Sequence, residues 1–149
     1  MKRIIPILIL IATLTIALSA CGLGKVKIED YEWKMRTVMH TEEKQVVVDA
    51  VGESDPAHPD AKIIEMTLIA KDGKITVTDA TNNKIYEGTY SVEQKTPAGT
   101  DYKITIDGKE GYATVAMTKY ADGTEEPTLP INFGTVSYTH LTLPTMAVV

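Results

Sequence analysis

One cysteine, one tryptophan and one phenylalanine occur in the 149 residues of this chain. A single thiol excludes a disulfide framework and a cysteine-based zinc site within one chain. No glycine-rich phosphate loop is present. No recognisable serine motif lies beside His40, His58 or His140, which removes the usual nucleophile–base arrangement. Helical periodicity is also missing: after residue 24 no window keeps a 3.6-residue apolar stripe for three turns. The length suits one domain rather than two. Hydrophobic residues at 44% and charged residues at 23% place that domain among globular chains.

Positive charge is scarce where it would matter. The formal net charge is −5, and all twenty acidic residues lie after residue 28. Without residues 1–20, thirteen cations face twenty acids, a net charge of −7. Such a body is mismatched to nucleic acid, whose phosphates dominate affinity, and is repelled by anionic headgroups. Membrane attachment therefore needs a device other than surface charge.

The N-terminus supplies one. Met1-Lys2-Arg3 is a basic start, and Ile4 to Ala20 is an uncharged, apolar run of 17 residues. This is the layout of a secretory signal peptide, at the lower limit of length for a membrane span. Leu18-Ser19-Ala20-Cys21-Gly22 resembles a bacterial lipobox. The resemblance implies cleavage between Ala20 and Cys21 and a diacylglycerol thioether on Cys21. Two acyl chains anchor stably, where one gives marginal binding. Residues 1–20 are accordingly expected to form a signal helix that is removed, and 21–30 a lipidated linker. The protein is expected on the extracytoplasmic face of the cell membrane, where lipidation consumes its only thiol.

Residues 31–135 read as an all-β domain. Trp33, Met35 and Met39 alternate with Lys34, Arg36 and His40, which predicts a strand with Trp33 buried. Gln45–Val51 is β-branched. Ile64, Met66, Leu68 and Ala70 alternate with polar residues, and Asp72-Gly73 then turns the chain into Ile75–Thr78. Ile85–Val92 follows, with Tyr86, Tyr90 and Val92 on one face, then Tyr102–Ile106, the Asp107-Gly108 turn and Tyr112–Tyr120. Ile131-Asn132-Phe133 begins a last strand. Seven or eight strands joined by tight turns predict an antiparallel meander. It is expected to close into a small up-and-down barrel, with a β-sandwich as the alternative. The stretch from Leu68-Ile69-Ala70-Lys71-Asp72-Gly73-Lys74-Ile75 through Tyr86-Glu87-Gly88-Thr89-Tyr90, with Trp33 early in the first strand, is similar to lipocalin-like domains of small bacterial lipoproteins.

Polar clusters offer few sites. Asp55, His58 and Asp60 share a proline-bearing loop that would need a further ligand to hold a metal. Asp79, Asn82, Asn83 and Glu87 carry oxygen near one turn, without the spacing of an EF-hand. The adjacent pairs Glu42-Glu43 and Glu125-Glu126 point to opposite faces of a strand, which suits acid–base work poorly. Tyr31, Tyr86, Tyr90, Tyr102, Tyr112 and Tyr120 are expected to pack, with a contact surface as the alternative. No catalytic residue, metal ligand or cofactor is assigned. The expected function is a lipid-anchored, non-catalytic module that binds a small ligand or an envelope protein. The competing classes are a metal-dependent envelope enzyme and an inhibitor or assembly partner of another envelope protein.

The C-terminal stretch departs from this pattern. Val136-Ser137-Tyr138-Thr139-His140-Leu141-Thr142-Leu143-Pro144-Thr145 resembles a translated sequencing-library adapter, and residues 134–149 carry no charge apart from a His140 proton. Residues 136–149 are therefore expected to be a non-native tail, with no function for His140. Amplifying the genomic locus across the Gly134 codon is expected to show a different continuation. Recovery of the same Val136–Thr145 codons, flanked by chromosomal sequence, would refute the adapter origin.

Overall fold

Period-two alternation lets each strand present one apolar face, and the chain uses that face throughout. The computed structural model describes residues 26–133 and, for the backbone alone, 138–142. The signal segment 1–20 with its expected helix, the Ala20–Cys21 cleavage site and residues 134–137 and 143–149 of the C-terminal stretch lie outside the described residues. A short 3-10 turn, Ile28–Asp30, leads into ten strands. These are β1 Trp33–Glu42, β2 Gln45–Val51, β3 Lys62–Ile63, β4 Met66–Lys71, β5 Lys74–Asp79, β6 Lys84–Lys95, β7 Gly99–Ile106, β8 Lys109–Lys119, β9 Glu125–Asn132 and β10 Tyr138–Thr142.

All ten belong to one sheet, which corrects the two-sheet alternative. From β4 to β10 every strand pairs antiparallel with the next, as expected for a meander. β1 meets β4 through Trp33 and Lys34, then leaves it and pairs with β2 from Thr37 onward. β10 pairs with β1 as well as with β9, and both β10 and β2 pair with Thr37–Met39. They therefore occupy opposite edges of β1. Among the described residues the short parallel contact of β2 with β3, Ala50↔Lys62 and Val51↔Ile63, is the one departure from antiparallel order.

Turn chemistry explains the tight connections. Asp72-Gly73 and Asp107-Gly108 have φ values of 50°/78° and 51°/75°. This is the left-handed pair required by a two-residue hairpin whose twist matches its strands. The β1–β2 hairpin adopts the same geometry with Glu43 at 48° and Lys44 at 69°, and no glycine.

The inner face is read off the alternation. Trp33 and Met35, Leu68 and Ala70, Ile75 and Val77, Tyr102 and Ile104, Ala113 and Val115, and Leu129 and Ile131 are all buried. Among the described residues the 3-10 turn is the only helical segment, so no second layer covers this face. The sheet must curl over its own inner surface to bury it. Ile28 joins the same core with no exposure at all, and Val26 packs beside it. The stretch expected to be linker thus contributes to the domain from Val26 onward.

Two strand details differ from the alternation. β9 starts at Glu125, six residues earlier than expected, with Pro127, Leu129 and Ile131 facing inward. Pro127 and Pro130 hid it, because proline removes a ladder donor. Register shifts at Met35/Thr37 and Val38/Met39 rotate β1, so that Val38 packs on the core and Met39 leaves it. On β6, Tyr86, Tyr90 and Val92 keep the expected shared face, opposite buried Val77, Ile104 and Tyr102; Val92 is nonetheless 51% exposed, and the register shifts only after it, between Val92 and Gln94. A bulge inserts one residue and inverts all later side chains.

Face assignment has a direct test. Ile104 is buried inside, and Ile69 stands half exposed outside. Ile104→Ala should cost about 2–5 kcal/mol in urea unfolding and Ile69→Ala within about 0.5 kcal/mol. Equal costs at the two sites would contradict the register.

Candidate functional site

The β1–β2 hairpin leaves apolar side chains uncovered near its tip. Val46 is 64% exposed and Val47 37%. Their pairing partners define two faces. Met39↔Val48 and Thr41↔Val46 share one, and His40↔Val47 lies on the other.

The first face forms the floor of a groove of about 520 Å³. Met39, Val46, Val48 and Val51 supply its apolar surface. Arg36, Glu53, Ser54, Asp55 and His58 supply polar walls, most of them from the loop that follows β2. That loop leaves the sheet at Gly52, whose N–H donates to the Arg36 carbonyl at 2.9 Å. A Cβ at Gly52 would collide with the Met35 carbonyl oxygen, so the loop can depart there only from glycine. Within the loop, Asp55 accepts from the Ala57 N–H at 2.9 Å and contacts His58 Nδ1 at 2.8 Å. Its carboxyl is held below the usual range, first by His58 and then by the Ala57 amide. This fixes the loop into a wall.

The opposite face of the hairpin carries a cluster that the sequence left unmarked. His40 Nδ1 lies 2.8 Å from Asp49 Oδ2, and Nε2 lies 3.7 Å from Glu42. The His40 pKa is raised above 6.5, chiefly by the Asp49 hydrogen bond, with partial burial opposing it. The signal was present in the chain: His40 and Asp49 sit at cross-strand distance in a two-residue hairpin. The register shift that separates Val48 from Ala50 concealed it.

The remaining sequence candidates have structural roles. Asp60 is exposed and is not brought to His58 and Asp55 as a third ligand. Among the described residues no three His, Cys, Asp or Glu side chains converge as metal ligands. Asp79 is buried and accepts from Asn82 N at 2.9 Å and Nδ2 at 2.7 Å, which lowers its pKa and closes the β5–β6 turn. Asn83 takes a left-handed turn position, φ 54°, and Glu87 points outward on β6. Glu43 is a turn residue, and Glu125 begins β9 on the exposed side.

The tyrosines divide. Tyr90 and Tyr102 stack edge to face at 5.8 Å under the 3-10 turn. The Tyr102 hydroxyl accepts from Ile28 N–H at 3.2 Å, the Tyr90 hydroxyl donates to Glu29, and Trp33 Nε1 donates to the Ile28 carbonyl at 2.8 Å. Burial first, and then Glu29, push the Tyr90 hydroxyl up to about 12. These side chains bolt a plug over the end of the sheet where β1 begins. Tyr31 packs on Trp33, and Tyr112 stands exposed on the outer face.

A histidine held above its unfolded pKa adds stability below about pH 6.5, and the contribution fades as pH rises through the folded midpoint. The His40 midpoint, followed by ¹H–¹⁵N NMR, should therefore lie above 6.5 and fall in Asp49→Asn. A midpoint unchanged by that substitution would contradict the pairing.

No family model matches this chain, and no curated protein or solved structure matches it. The functional reading therefore rests on the residues and their geometry.

Proposed function

We propose that this chain is a lipid-anchored, extracytoplasmic bacterial lipoprotein that acts as a non-catalytic binding module and docks its partner on the β1–β2 hairpin. The observation that carries the docking role is the uncovered groove, with Met39, Val46 and Val48 as its floor and a fixed polar loop as its wall. An apolar surface bounded by positioned polar groups is the ordinary form of a recognition site.

The anchor rests on the lipobox-like Leu18-Ser19-Ala20-Cys21. Burial of Ile28 supports a body held close to the membrane. Six residues lie between it and Cys21, and the seven peptide steps reach at most about 25 Å. The plug of Ile28, Trp33, Tyr90 and Tyr102 would then face the bilayer. The hairpin projects from the opposite end, because β1 runs from the plug toward Glu42.

The finer architecture proposed is a small up-and-down barrel. It is supported by the pairing of β10 with both β9 and β1, and by an inner face buried without a covering layer. The strand-like Tyr138–Thr142, within the adapter-like stretch, would fill that edge in place of another segment.

The competing class remains a metal-dependent envelope enzyme. Elemental analysis of the purified protein separates the two, since stoichiometric zinc, manganese or calcium retained through gel filtration would favour the enzyme.

Cys21→Ala should shift the protein from the membrane fraction to the soluble fraction or leave it as uncleaved precursor, read by fractionation and intact mass. A wild-type mature protein whose mass shows no lipid would contradict the anchor.

A further inference from the structure

We propose that the outer edge of β2, over Gln45–Asp49, is a strand-addition site for an extended, basic segment of a partner protein. This edge is the docking half of the binding module proposed above and rests on that reading.

The edge is open. β2 pairs with β1 along its length, and β3 occupies its other edge only at Ala50 and Val51. Among the described residues nothing pairs with the outer edge of Gln45–Asp49. The two-residue turn makes Glu42↔Gln45 the closing, mutually hydrogen-bonded pair of the hairpin. Alternation then directs the N–H and C=O of Val46 and Val48 away from β1. Natural sheets usually protect such edges with lysine, proline or short length. This one presents three consecutive valines, two of them prominently exposed, and its only lysine is Lys44 at the tip. Main-chain bonds from an added strand supply affinity, and alternate side chains supply selectivity.

The surroundings specify the strand's charge. Residues 42–60 carry six carboxylates, Glu42, Glu43, Asp49, Glu53, Asp55 and Asp60, against the single cation Lys44. Among the described residues no lysine or arginine forms an ion pair with any of them; His40 and His58 are their charged side-chain partners, and Arg36 in the groove wall acts on Asp55 only at longer range. A strand laid along β2 would place one row of side chains over the groove, beside Glu53 and Asp55. The other row would lie beside Val47 and Asp49. β-branched residues flanked by lysine or arginine fit both rows. A second copy of this chain fits less well, because antiparallel β2–β2 pairing would bring two such acidic ribbons together.

The hairpin tip agrees with a functional constraint. Glu43-Lys44 holds two left-handed residues without glycine, while two other hairpins of the same geometry use Asp-Gly. Conformations of this kind are retained where the site requires them.

The test uses the full chain in neutral detergent micelles and a fluorescein-labelled, end-capped heptapeptide KVTVTVK, followed by anisotropy. Saturable binding is expected. It should weaken at least about ten-fold for EVTVTVE, and as much for KVTVTVK carrying backbone N-methyl groups on alternate residues, which keeps the side chains but blocks the ladder. Val46→Pro removes one outward donor at an exposed edge position and should weaken binding at least about five-fold, with Trp33 emission and the far-ultraviolet spectrum unchanged. Met39→Asp reports on the groove separately. If Met39→Asp abolishes binding while N-methylation of KVTVTVK and Val46→Pro leave it intact, the groove reading stands and strand addition is overturned. Absence of binding by KVTVTVK, or equal binding by EVTVTVE, overturns the basic-segment proposal. Self-association of the chain in sedimentation velocity that Val46→Pro abolishes would assign the edge to a second copy instead.

Discussion

A sheet with one apolar face and no second layer has to cover itself. That constraint organises this molecule. Twelve inward side chains from six strands, Trp33 to Ile131, are buried, and among the described residues no helix is laid over them. At about 25 cal/mol per Å² of apolar surface, such a face is the main source of stability available to the domain. Curling buries the face but leaves the ends to be closed by other means. At one end the 3-10 turn forms a plug, with Ile28 inserted and its backbone tied to Trp33 and Tyr102. At the other end β1 runs on past β4 and takes a new partner, β2. The hairpin that results lies outside the self-covered region, which is why its valines stay exposed.

Much of the fold was legible because strand chemistry is local. The Asp-Gly turns and the period of two located β4, β5, β7 and β8 closely, and the burial of Trp33 followed from its place among Met35 and polar neighbours. The misreadings have physical origins. Register shifts are set by tertiary pairing, so nothing in β1 announces that Met39 will turn away from the core. Pro127 and Pro130 masked β9, although proline is tolerated where its missing donor is not needed. Ile28 was passed over because three residues of 3-10 turn carry no periodicity.

The candidate site was less legible. The Asp55–His58 pair was visible as a loop cluster, but its role as a wall depends on Gly52 and on the valines across the groove. His40 and Asp49 looked unrelated until the hairpin paired them. Adjacent glutamates that suggested nothing catalytic contribute instead to an acidic ribbon. Function in this chain would reside in the part of the sheet that the core does not need. Folding constrains that part least, and its tip keeps a backbone geometry that glycine would adopt more cheaply.

Native-state amide hydrogen exchange of the isolated full chain tests this division most directly. Amides of Val77, Ile104 and Val115 should exchange only through global unfolding, while those of Val46 and Val48, in the same sheet, should exchange close to the unprotected rate. Protection of Val46 and Val48 as strong as that of Ile104 would show that the edge of β2 is already covered and would contradict the account.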